Sequence, residues 1–204
     1  MPRVLRDKRD PQTALTSAIA DAQHYNGFNL MAGDVAAACW GSNRGDQGGA
    51  RIRAAGPSQG ANYSPSGGSA AAALANEAAS VGVLSSGVHG LSNARLDTPW
   101  PKLARTQAGV ATWAQEGCED IEPLFALLAD RARARDDELP ETGVSLEWER
   151  VLSAPFITGE RYGTRCSTVL CISRDGEARF VEQSFDARGE PAGRVDTTFT
   201  LIAA

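Results

Sequence analysis

His89-Gly90-Leu91-Ser92-Asn93-Ala94-Arg95-Leu96-Asp97-Thr98-Pro99-Trp100-Pro101-Lys102 sets an imidazole, a carboxamide, a carboxylate and an indole on one short connection. A connection carrying these groups could form one wall of a reaction site. The same stretch also reads as plain architecture. Asp97 or Thr98 can cap a helix whose first turn tolerates Pro99 and Pro101. Asn93 can be a turn residue satisfying its own backbone. Trp100 suits either a core or a pocket wall. Farther on, Arg165 stands just before an apolar run, where a guanidinium can form a surface salt bridge at a sheet edge. His24 and His89 are the two histidines, and each reads as a hydrogen-bonded structural ring.

The 4 cysteines stand at Cys39, Cys118, Cys166 and Cys171. None of their spacings is that of a zinc knuckle or a redox motif. On a strand, the spacing of Cys166 and Cys171 puts them on opposite faces. The expectation is four reduced, mostly buried thiols and no metal site.

The elements that must hold these groups are legible in part. Residues 11–25 keep a helical apolar stripe (Ala14, Leu15, Ala18, Ile19, Ala22), with Asp10 as cap and Pro11 in the first turn. Two short strands flank a Gly33-Asp34 turn. Residues 41–87 are dominated by Gly, Ser and Ala and offer too little apolar surface to offset ordering entropy. This predicts a flexible insertion over 45–87, with one marginal helix at 70–80. Val88–Ser92 reads as a short strand. A helix follows the Asp97-Thr98 cap, burying Leu103, Gln107, Val110, Ala111 and Ala114 and ending at Gly117. Asp120 caps another helix. The run Arg131–Glu138 reads as a solvated helix end, and 145–152 as a short amphipathic helix or turn. Cys166–Ser173, Ala178–Ser184 and Arg194–Ile202 predict an antiparallel meander with one covered face, turning at Asp175-Gly176.

With 204 residues, 20 basic and 25 acidic, the chain carries a net charge of −5. That is long enough for one domain, 1–204, with a real core. The charge balance argues against a nucleic-acid partner. No apolar run approaches the length of a bilayer span. The charged N-terminus, with no hydrophobic segment behind it, predicts a cytoplasmic protein without a signal peptide.

Taken in order, Tyr25-Asn26-Gly27-Phe28-Asn29-Leu30, Gly33-Asp34, Ser42-Asn43-Arg44-Gly45, the His89–Lys102 stretch and Tyr162-Gly163-Thr164-Arg165 with Ser167-Thr168-Val169 resemble the transport and Golgi organisation (NRDE) family. The likeness runs from about residue 11 to residue 202. It implies an α+β fold, the N-terminal-nucleophile-hydrolase-like αββα sandwich with antiparallel sheets. In that fold an N-terminal cysteine attacks with its own α-amine as base. By analogy Asn93 would be the oxyanion donor and Arg165 the orienting arginine. His89, Asn93, Asp97 and Trp100 would line a ligand site, and His24 or His89 could ligate haem iron.

The sequence departs from the family pattern at its start. Position 2 is Pro2 rather than Cys, and no Asn-Arg-Asp-Glu motif occurs. The expectation is therefore an N-terminally truncated domain without the nucleophile. It would bind or traffic a small molecule, haem or a lipid-like metabolite, with haem as cargo rather than resident cofactor. The alternative is an amide-bond hydrolase whose cysteine lies in a missing N-terminal segment.

Overall fold

The computed structural model describes residues 9–20, 24–43, 51–52, 80–159 and 161–201. The predicted helix at 70–80, apart from Ser80, and most of the 45–87 segment lie outside these residues. The described chain divides into two compact units, one from residues 9–43, 80–98 and 201, the other from residues 51–52 and 99–200.

In the first unit, α1 (Pro11–Ala20) begins as the sequence predicts. Asp10 Oδ1 accepts from the Thr13 amide at 2.9 Å, an N-cap on an otherwise orphaned donor. Strands β1 (Asn29–Gly33) and β2 (Ala38–Ser42) pair antiparallel as a hairpin. Its turn is closed by Asp34 Oδ1, which accepts from the amides of Ala36 and Ala37. Alanine favours strands poorly, so pairing rather than propensity holds β2. The third strand, β4 (Ser80–Val83), lies antiparallel against β2, giving the order β1-β2-β4. These four residues form a strand and not loop, because backbone pairing to β2 replaces the side-chain burial that the composition lacks.

Helix α1 packs on one face of this sheet. Leu15, Ile19 and Cys39 are buried together, with Phe28, Leu30, Ala32 and Val81 around them. Gly41 permits the approach: a Cβ there would stand 2.3 Å from Ile19 Cδ1 and 3.1 Å from Leu15 Cδ2.

The second unit opens with α2 (Pro101–Gln115) and α3 (Glu122–Leu128). Asp120 Oδ1 accepts from the Glu122 amide at 2.9 Å, the expected cap chemistry. The predicted apolar stripe of α2 is only half-buried, and no residue of that helix is fully buried. A two-residue bridge joins β3 (Arg51–Ile52) and β5 (Pro140–Glu141). Between α3 and β5 the chain holds one 3-10 turn, Asp136–Glu138, in place of a helix end. Arg135 and Arg150 bind Asp137 and Asp136 there, so the charge run is exposed and internally paired. Helix α4 (Leu146–Leu152) is capped by Ser145.

The C-terminal meander has the predicted form: β6 (Cys166–Ile172), β7 (Glu177–Phe185) and β8 (Pro191–Thr200) in sequential antiparallel order. Gly176, at φ +82°, makes the first turn. Helix α3 covers one face, where Ile121, Val169 and Val181 are buried among Leu124, Phe125, Leu128 and Cys171.

The thiols correct the expectation of burial. All four are free, but only Cys39 is buried, while Cys118 and Cys166 are exposed. Cys118 sits at φ +59° in the open link between α2 and α3, and Cys166 stands on the uncovered side of its strand. Cys166 and Cys171 do occupy opposite faces. Among the described residues no helix is long and apolar enough to cross a membrane.

Candidate functional site

The chain from Leu84 to Thr98 in the first unit is a loop; the strand predicted over Val88–Ser92 does not form. Its backbone groups are met by side chains and by a short cross-loop contact, an alternative that Asn and Asp offer to strand pairing. Asp97 is the centre. Its amide donates to Gly90 O at 2.7 Å, and its Oδ1 accepts from the Gly90 amide at 2.7 Å. Its Oδ2 meets His89 Nδ1 at 2.8 Å. Asp97 has φ +56°, a left-handed conformation that Asp tolerates better than most residues. The expected helix cap is therefore a loop clasp. The helix starts at Pro101, after Trp100, with no side-chain cap, and Thr98 Oγ1 donates back to Arg95 O.

His89 has acceptors at both ring nitrogens. Nδ1 faces the Asp97 carboxylate, and Nε2 lies 3.0 Å from Ser85 O. Acceptors at both nitrogens favour the doubly protonated ring. Its pKa is raised first by the Asp97 hydrogen bond and next by the Ser85 carbonyl. A ring so engaged has no lone pair for a metal, which needs a neutral imidazole.

Ser85 Oγ also stands 3.3 Å from Nε2, in the order of a serine-histidine-aspartate triad. The Ser85 carbonyl is closer, however, so Nε2 donates there and does not accept the hydroxyl proton. Nothing in the spacing of Ser85 marks it in the sequence.

Other motif residues tie this loop to its sheet. Asn29 Nδ2 donates to Ser92 O at 3.0 Å and Ala94 O at 2.8 Å. Asn43, fully buried, accepts from the Phe28 amide at 2.6 Å and donates to Asn26 O at 3.2 Å. Ser42 Oγ donates to Phe28 O. Asn26, Phe28, Asn29, Ser42, Asn43, His89 and Asp97 thus build one polar scaffold. Asn93 belongs to the same loop but is exposed, with no side-chain hydrogen bond to a described residue.

Trp100 and Arg165 belong to the second unit. Trp100 is buried, and its Nε1 has no hydrogen-bond partner. Lys102 Nζ lies 5.8 Å from its ring centroid and donates to Leu152 O. Burial lowers the Lys102 pKa, against the opposing pull of Glu149. Arg165 is exposed, and its Nη1 donates to Asp186 O at 2.9 Å, bracing the β7–β8 turn. Its partner is a carbonyl and not the carboxylate of a salt bridge.

The second unit also holds a groove of about 1190 Å³ that the sequence did not reveal. Val110 and Trp113 of α2, Leu124, Leu127 and Leu128 of α3, and Val169 of β6 form its apolar walls. Arg179, Glu177 and Cys118 add polar atoms. Gly109 sets the two helices close: a Cβ there would stand 2.3 Å from Leu127 Cδ2. The only advance signal was the apolar spacing of α2, read as core. None of His89, Asn93, Asp97, Trp100 and Arg165 lines this groove.

Comparison with known proteins accounts for the scaffold. The family model described as Transport and Golgi organisation 2 matches residues 2–187. The bovine Transport and Golgi organization protein 2 homolog is 28% identical over 95% of this chain and 63% of its own length. The human homolog is 26% identical, over 86% of this chain and 56% of its own. The mouse Transport and Golgi organization 2 homolog is 24% identical, over 88% and 58%. The chain thus spans somewhat less than two thirds of the length of these relatives. The motifs that build the clasped loop and its sheet fall inside the matched span, and the chain belongs to the Transport and Golgi organisation 2 family.

Proposed function

We propose that this chain binds a small apolar or amphipathic molecule, a lipid-like metabolite or haem, and serves in its carriage and not in a reaction. The observation that carries this reading is the groove between α2, α3 and the meander. Its volume of about 1190 Å³ lies above the roughly 300–1,000 Å³ usual for small-molecule sites, room for a large ligand, and its walls are mainly apolar with a few polar groups. A role in carriage also agrees with the transport that the relatives' names describe. Of the two cargo classes, haem would find two soft ligands on the wall, the Cys118 and Cys171 thiols.

Two titrations test this, one with a fluorescent fatty-acid analogue and one with haemin. Saturable binding is expected, at least about 10-fold weaker in Val110→Glu, since an unpaired buried carboxylate costs more than 1.4 kcal/mol. A haemin Soret shift lost in Cys118→Ser or in Cys171→Ser selects haem, and fatty-acid binding indifferent to both substitutions selects lipid. Equal binding by wild type and Val110→Glu would place any site elsewhere.

A second reading keeps an acyl-transfer role for Asn93 and Arg165 within the sandwich fold that the family resemblance implies. It is favoured by the exposed Asn93 amide, which has no partner among the described residues. It also draws on the arrangement of each three-stranded sheet, with helix packed on one face. Arg165, already donating to Asp186 O, weighs against it. Asn93→Ala should leave the thermal midpoint unchanged under either reading. Only the acyl-transfer reading predicts that it abolishes amide hydrolysis.

A further inference from the structure

Strand β8 pairs with β7 along one side. No described strand lies along its other side, and all ten of its residues are exposed. A long edge with unpaired backbone donors and acceptors is a template for another strand.

The face of the meander turned away from α3 adds to this. Across the register, Leu170 stands opposite Phe180 and Phe180 opposite Thr197, while Ala178 stands opposite Phe199. Residues opposite one another share a face, as do residues two apart. Leu170 (53% exposed), Ile172 (45%), Phe180, Val195 (57%) and Phe199 (46%) therefore lie together on that side. Leu170, Ile172, Phe180 and Phe199 thus form an apolar patch that reaches β8 and also borders the groove, while Glu182 stands opposite Val195.

We propose that β8 pairs antiparallel with β8 of a second copy of this chain, about a two-fold axis at Val195, to give a continuous six-stranded sheet. The charge pattern selects both occupant and register. With Val195 on the axis, Arg194 faces Asp196 of the partner subunit, and the reciprocal pair forms by symmetry. Centring on Arg194 or on Asp196 instead sets a like charge opposite itself, which destabilises a sheet pair. An in-register parallel pairing sets Arg194 beside its own copy.

In the Val195-centred register, residue 193 faces 197 and residue 191 faces 199. Glycine then accommodates Thr197, and Phe199 lies against proline. The pairs within each chain, Arg194 with Glu122 and Asp196 with Arg179, stand on the α3 side and extend into one network across the axis.

The test is sedimentation velocity on the whole chain and two charge reversals, Arg194→Asp and Asp196→Arg, with folding checked by near-UV circular dichroism. Wild type should be a dimer. Each variant alone should dimerise at least about 10-fold more weakly, since two facing pairs turn repulsive. An equimolar mixture of the two should regain the dimer, because each chain then meets its complement. Mixing cannot repair the lost contacts to Glu122 or Arg179 within a chain. A monomeric wild type, or a mixture no tighter than its components, overturns the proposal.

Should either variant fail to fold, Val195→Cys in a Cys118→Ser/Cys166→Ser background decides the matter. Mild oxidation should link it to its own copy and leave Thr197→Cys unlinked. Absence of the Val195→Cys cross-link, or equal cross-linking at both positions, overturns the register.

Discussion

In the sheet β1-β2-β4 the strands run for 5, 5 and 4 residues, whereas β6, β7 and β8 run for 7, 9 and 10. Each sheet receives a helix on one face. The short sheet has few ladder bonds of its own, and its surroundings are held by polar side chains: the buried Asn43 on Phe28 and Asn26, and the half-buried Asn29 on Ser92 and Ala94. The long sheet leans on its ladder and on exposed pairs such as Thr168 with Glu182 and Arg179 with Asp196. Exposed pairs of this kind contribute little each. The lesson is that one sheet is specified by particular side chains, the other by the continuity of its backbone pairing.

That contrast is most open to attack at the helix contacts. Leu15 is fully buried between α1 and β2, so Leu15→Ala should cost about 3 kcal/mol. Val181, equally buried under α3, loses less volume and rests in a longer ladder, so Val181→Ala should cost about 2 kcal/mol. Urea unfolding of both variants gives the comparison. A larger loss at Val181 would make the long sheet the one that depends on side-chain fit.

Polar substitutions should separate the two sheets more sharply, though with smaller absolute effects. Asn43→Ala strands the Phe28 amide and the Asn26 carbonyl and should cost about 2 kcal/mol. Thr168→Val removes an exposed hydrogen bond to Glu182 and should change stability by less than about 0.5 kcal/mol. Hydrogen exchange of the Phe28 amide reports the first directly. Equal costs at the two sites would erase the distinction.

The long sheet was the legible one. Its alternation, its β-branched content and the Asp175-Gly176 turn all reside in consecutive residues. The same holds for α1 with its Asp10 cap, for the hairpin at Asp34, and for α4 with Ser145. What escaped depends on partners distant in sequence. β4 is a strand because β2 lies beside it, and its composition carries no sign of that. Asp97 suits a helix cap and a loop clasp equally well by type; only its left-handed φ and the nearness of Gly90 separate the two. The groove needs α2, α3 and β6 together, and an apolar stripe on α2 reads the same for a core as for a cavity wall. Arg165 had its exposure readable but not its acceptor, a carbonyl 21 residues away.

The smallest effect expected is also the most specific to the clasped loop. The Asp97 carboxylate and the Ser85 carbonyl favour the protonated His89 ring, so its folded pKa lies above the usual value of about 6.5. A raised folded pKa means that the clasp's contribution is fully present below about pH 6.5 and is lost as pH climbs through the higher folded value. Stability should therefore fall slightly with rising pH in that window. Long-range proton–nitrogen spectra of the imidazole should show both nitrogens protonated at pH 6.5, with a titration midpoint above that of a free histidine. Asp97→Asn removes the larger of the two causes and should bring the midpoint down. A neutral ring at pH 6.5, or a midpoint unmoved by Asp97→Asn, would show that the loop is held by the Asp97–Gly90 backbone contacts alone. The short sheet's surroundings would then lose their one ionic clasp, leaving a scaffold of neutral amides and carbonyls.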